Sequence, residues 1–183
     1  EHIAASAVET AKINNDAVTA AKAAFDYAAS GSEGGSATSL ASGVGGKILQ
    51  VLNDSMITNM STTSTSWTAT GLSVDMTAAT SSSKIFAMVQ GGGAYNSSTA
   101  ASVMRLTIYK DSTNIGHSTM GQSRFSTDDD AWNISPHSLN ILETAGDTSS
   151  HTYQVYVMST GAEVQFSGTD RGLITLTLFE IGA

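Results

Sequence analysis

The 183-residue chain contains no cysteine. That absence removes disulfides, thiolate metal sites and cysteine nucleophiles together. Proline occurs once, at Pro136, so long stretches are free to form uninterrupted strands. Charged residues are scarce at 13 %, and only eight of them are Lys or Arg. A grip on nucleic acid needs clustered cations against phosphates. Here they are scattered through a chain of net charge −8, so no nucleic-acid partner is expected. No apolar run approaches the roughly 20 residues of a membrane-spanning helix, and no membrane insertion is expected. Aromatics are 7 %, enough for a modest core.

The signatures of catalysis are missing too. Gly121-Gln122-Ser123 lacks the closing glycine of a nucleophile elbow. Gly91-Gly92-Gly93 follows a strand-like run, but no helix opening with Lys-Ser or Lys-Thr comes after it, so it is not a phosphate loop. Asp128-Asp129-Asp130 is the densest cluster of charge, without the spaced acids and glycine of a calcium loop, and reads as a solvated turn. His2, His117, His137 and His151 show no metal-ligand spacing. The expectation is a protein that is not an enzyme, with no cofactor and no metal.

What the chain has is Ser, Thr, Asn and Gly in the place of charge, a composition that suits sheets and turns. Its amino end repeats. Ala7-Val8-Glu9-Thr10-Ala11-Lys12-Ile13-Asn14-Asn15-Asp16 is echoed by Ala17-Val18-Thr19-Ala20-Ala21-Lys22-Ala23-Ala24-Phe25-Asp26. Short repeats bury little within one copy and need neighbours or other chains. Residues 1–30 therefore read as a repeat stalk, with one helix over Ala17–Ala29 between an Asp16 cap and Gly31. The text opens inside a repeat, as the carboxyl part of a longer polypeptide would. Residues 31–46 form a Gly/Ser linker.

Residues 47–183 read as a mainly β head of eight or nine strands, an antiparallel jelly-roll-like sandwich. Strands are expected at Lys47–Leu52, Leu72–Thr77, Ile85–Val89, Val103–Lys110, from Ile115, at Trp132–Leu142, Tyr153–Met158, Glu163–Phe166 and Leu173–Ile181. Ile85–Val89 is apolar at every position and reads as buried on both faces, ending at the three glycines. Pro136 marks an edge or a bend. The last strand is apolar almost throughout, which predicts a central place beside the first strand. Trp67 reads as a strand residue of the core or an interface.

Gly46-Lys47-Ile48-Leu49-Gln50-Val51, Ser64-Thr65-Ser66-Trp67, Thr70-Gly71-Leu72-Ser73-Val74 and Ser82-Ser83-Lys84-Ile85 form an ordered series. It resembles the carboxyl-terminal domains of tailed-phage virion and tail-fibre proteins. The unit Ala17–Lys22 is similar to the decapeptides of phage fibres, and the resemblance runs from Ala7 to Ile181. It implies a homotrimeric head on a slender stalk at the virion surface, in a tail or capsid appendage. Other virion proteins would be met through the amino-terminal part. Attachment to a host-surface glycan or outer-membrane component would need an aromatic platform among neutral hydrogen-bonding groups. Tyr95 with Asn96, and Trp132 with Asn133, have that mixture and are the candidate contacts. The alternative is a purely structural capsid fibre or decoration protein that binds no receptor.

Overall fold

The computed structural model describes residues 47–96, 102–127, 134–167, 169 and 172–182. The chain divides into Glu1–Val44 and Gly45–Ala183, and every described residue belongs to the second unit. The repeat stalk, its helix and the linker lie outside the described residues.

Among the described residues there are eleven strands: β1 Ile48–Met56, β2 Met60–Thr62, β3 Thr68–Thr77, β4 Lys84–Asn96, β5 Ser102–Lys110, β6 Thr113–Asn114, β7 Ser123–Thr127, β8 Ile134–Thr144, β9 Ser150–Ser159, β10 Val164–Ser167 and β11 Ile174–Ile181. The first sheet has the order β1-β11-β4-β10-β2, with β8 also on β4. The second runs β3-β9-β5-β6, with β7 also on β5. Every ladder is antiparallel. Among the long strands the orders are β1-β11-β4-β8 and β3-β9-β5-β7, and the chain crosses repeatedly between the two sheets. That is the double Greek key of a jelly roll, as the sequence predicts.

Alternation builds the core. Leu72, Val74 and Met76 of β3, Met104, Leu106 and Ile108 of β5, and Tyr153, Val155 and Val157 of β9 turn inward from the second sheet. Ile85, Ala87 and Val89 of β4, Leu139 of β8, and Ile174, Leu176 and Leu178 of β11 meet them from the first. Each fully buried aliphatic contributes about 1.5–3 kcal/mol relative to exposure.

The structure corrects several local expectations. β4 does not stop at Gly91 but runs 13 residues through the glycines, with a bulge between Gly91 and Ala94. Gly91 has φ +92°, and a Cβ there would overlap the Leu173 carbonyl oxygen, so only glycine lets β4 pass. β4 is buried on alternate residues, not on both faces. The return strand expected from Ile115 is the two-residue β6. β9 and β10 follow each other in sequence but belong to opposite sheets, and β2 and β7 were not foreseen. Trp67 precedes β3 and is half-buried. The placing of Pro136 on a sheet margin holds, since among the described residues β8 pairs with β4 alone. So does the pairing of the last strand with the first, with β4 on its other side.

Two polar clusters join the sheets inside this sandwich. Glu180 of β11 has no exposed surface. Gln50 Nε2 donates to it at 2.6 Å and the Ala79 N–H at 2.7 Å. Burial raises the pKa of this carboxyl, but donors from Ser83, Gln50, Ala79 and Thr80 outweigh it and hold the group below its ordinary value. On the other flank Lys110 of β5 meets Glu143 of β8 at 3.2 Å and donates to the Ala145 carbonyl at 2.7 Å. The buried Tyr153 hydroxyl donates to the same Glu143 carboxylate, and burial, followed by that bond, pushes its pKa up.

Glu180→Ala is expected to cost about 2–4 kcal/mol, because several buried donors lose their acceptor at once. Urea unfolding at pH 7 checks this, and a loss under about 0.5 kcal/mol would refute the role given to the carboxylate.

Candidate functional site

In an antiparallel sandwich the outward positions of each strand line up into rows across the sheet. On the first sheet one row reads Val51–Phe179–Phe86–Leu142 from β1 through β11 and β4 to β8. All four are apolar. Val51 is 50 % exposed and Leu142 58 %, and the Phe86 and Phe179 rings lie 6.1 Å apart between them. The row on one side is Ile48–Ile181–Lys84–Thr144, and on the other Asn53–Thr177–Met88–Asn140. Ile48 is 55 % exposed. Lys84 is the single charge in these three rows, and its ammonium donates to Thr144 Oγ1 at 2.6 Å. This face is an apolar band in a neutral surround, and it is the strongest candidate surface on the first sheet.

The sequence did carry a signal for it. Ile85-Phe86-Ala87-Met88-Val89 is apolar in both phases of the strand, and so are Leu178-Phe179 and Ile141-Leu142. One phase fills the core, and the other makes the band.

The expected contact residues are placed differently. Trp132 and Asn133 lie outside the described residues. Tyr95 pairs with Ile134 and Gln165, and Asn96 with Val164. These pairings set the end of β4 at the far end of the sandwich from Lys47 and Gly182, whose backbones meet at 2.8 Å. Asp128–Asp130 and His2 also lie outside the described residues. The other histidines share no partner. His117 Nδ1 accepts the N–H groups of Thr119 and Met120, closing its own turn. His137 is buried in β8 with its ring 6.1 Å from that of Phe166. His151 is held between Asp111 at 2.7 Å and Asp147 at 3.0 Å. Among the described residues no group of three or more His, Asp or Glu is arranged to hold a metal ion.

No family model and no curated protein matches the chain. Solved structures of infectious bursal disease virus overlap with it. The Gx strain gives 13 % identity and a TM-score of 0.37, covering 73 % of this chain and 37 % of that one. The VP2 subviral particle gives 12 % identity and a TM-score of 0.36, covering 72 % and 39 %. The chain thus spans a little over a third of the length of these structures, and overlaps this loose carry no functional argument.

His137 and His151 respond to acid in opposite directions. Burial lowers the His137 pKa from 6.5 to about 4, so the folded state resists its protonation. That cost is small above pH 6.5 and grows as pH falls toward 4, reaching roughly 2–3 kcal/mol near pH 4.5. The hydrogen bond to Asp111, and then the one to Asp147, raise the His151 pKa. Its stabilisation is complete below pH 6.5 and is lost as pH rises through the folded value. Urea midpoints across pH 4.5–8 should show His137→Gln flattening the acid loss and His151→Gln destabilising more at pH 6 than at pH 8. The same profile in both variants would refute the assignment.

Proposed function

We propose that the chain is the head of a homotrimeric virion appendage, held together by the outer face of the first sheet and engaged with a host surface by what remains exposed. The observation that carries this reading is the Val51–Phe179–Phe86–Leu142 row. A strand apolar in both phases is a strand with two faces to bury, and the fold of one chain buries only one of them. A second copy supplies the other. Copies of a chain with net charge −8 repel one another, so they meet best where no acid projects, and none of the described acids stands in that band. Closure into a ring leaves no copy with its band uncovered.

The resemblance to carboxyl-terminal domains of tailed-phage virion proteins supports the same setting, and the repeats of residues 7–26 support a stalk that joins other virion proteins. The role is one of assembly and contact rather than catalysis. The absence of nucleophile-elbow and phosphate-loop motifs agrees with that.

Light scattering of the full chain is expected to give three times the 18.8 kDa chain mass over a range of concentrations. Phe179→Asp, which sets a carboxylate in the middle of the band, should give a folded monomer. A wild-type chain that stays monomeric, or a Phe179→Asp trimer, would overturn the reading.

A further inference from the structure

The outer face of the second sheet has a different chemistry. Tyr109 of β5 and Tyr156 of β9 are diagonal neighbours, because Tyr109 pairs with Gln154 and Tyr156 with Thr107. Their rings stack at 3.9 Å with 26° between planes. Both are half-buried. Burial, and then the neighbouring Tyr156, push the Tyr109 pKa up, so the Tyr109 phenol stays a neutral donor at pH 7. Beside them Gln154 pairs with Ser73 of β3. The surface is thus two stacked rings next to an amide and a hydroxyl.

The loop beside this platform is tied down. Trp67 Nε1 donates to the Ser118 carbonyl at 2.8 Å, and Arg105 Nη1 to the Thr119 carbonyl at 2.9 Å, which pins the 115–122 loop over the sheet. Thr107 Oγ1 donates to Asn114 Oδ1 at 2.7 Å, and the Ile108 N–H to Gln122 Oε1 at 3.2 Å. Gly121 has φ +68°, and a side chain there would run into the Leu106 carbonyl and the Trp67 ring. Ordered side chains lose little entropy on binding.

Stacked rings beside neutral donors and acceptors match a pyranose, which offers an apolar C–H face and a rim of hydroxyls. The charges nearby select among saccharides. Arg105 is engaged by the Thr119 carbonyl, and Lys110 by Glu143 and the Ala145 carbonyl. Arg124 pairs with Arg105 across β5, on the far side from Tyr156. Asp75, bonded to Thr152 Oγ1, and Asp111 carry negative charge at one end of the face. No free cation stands beside the rings among the described residues, and an anionic sugar would meet acids.

We propose that the Tyr109–Tyr156 face binds an uncharged saccharide, the tyrosine rings stacking on the sugar and Gln154 and Ser73 bonding its hydroxyls. The inference rests on the reading of the chain as an exposed appendage, in which the first sheet turns toward other copies and the second forms the outer wall. The test is saturation-transfer NMR of the full 183-residue chain. The probes are neutral oligosaccharides ending in glucose, galactose, mannose, N-acetylglucosamine or rhamnose, with 3′-sialyllactose as the charged comparator. At least one neutral sugar is expected to take up saturation, strongest at its ring C–H protons. Binding should weaken at least tenfold in Tyr156→Ala, and also in Gln154→Lys, a surface change that leaves the ring pair in place, with circular dichroism and mass unchanged. Transfer to no neutral sugar, transfer to sialyllactose alone, or binding that survives both variants would overturn the proposal. So would binding lost in Trp132→Ala but kept in Tyr156→Ala. Light scattering on the same samples separates the two readings. A trimer that binds no sugar removes this site and leaves the assembly standing, whereas a monomer that binds sugar does the reverse.

Discussion

A carboxylate without solvent is the constraint around which this head is arranged. Glu180 stands one residue before the end of β11, opposite Gln50 of β1, and receives the N–H of Ala79 from the turn that carries the chain from the second sheet back to the first. First strand, last strand and crossover turn are therefore fastened at one point. An unpaired ionised group in an apolar interior would cost many kcal/mol, so the donors must all be present together for the strand to dock. The same contact fixes register. A slip of one residue would turn Glu180 outward, strip its donors, and move Ile174, Leu176 and Leu178 from the core to the surface. Aliphatic burial alone would punish that slip less sharply, because Phe179 and Ile181 could fill much of the vacated space.

The second cluster works by the same logic on the opposite flank of the sandwich. Lys110 and Tyr153 from one sheet converge on Glu143 from the other. Charged residues are only 13 % of the chain, and three of them, Glu180, Lys110 and Glu143, stand where they join layers. Exposed ion pairs contribute little, while buried, multiply bonded ones specify a geometry.

Much of the fold was legible because its long strands alternate. Leu72–Thr77 announced an inward and an outward phase, and the apolar final strand announced its central place. The short strands β2, β6 and β7 left no such trace, since two to five residues hold too few periods to stand out. The glycine run misled for a physical reason. Glycine usually punctuates a strand, but here Gly91 is the residue that allows the strand to continue past Leu173. The surfaces were legible only in part. A run apolar in both phases says that two faces will be covered and not what covers the second, and local pattern contains no information about other chains. Tyr109 and Tyr156 are far apart in sequence, and only the β5–β9 register brings their rings together.

The two outer faces differ in how they meet solvent. An apolar band loses free energy in water and gains it on contact with its like, so the first sheet tends toward association. The second sheet keeps its aromatic area half-covered by its own stack, and surrounds it with hydroxyl and amide groups. Such a surface stays soluble alone and gains from a partner with both an apolar face and hydroxyls. Edge control points the same way. β8 carries Pro136 and β1 carries a bulge between Ile48 and Gln50, and both features weaken strand addition at the margins of the first sheet. With the margins blunted and the face left apolar, the association proposed above would run face to face around an axis rather than edge to edge in an open ribbon, the arrangement that a closed assembly requires.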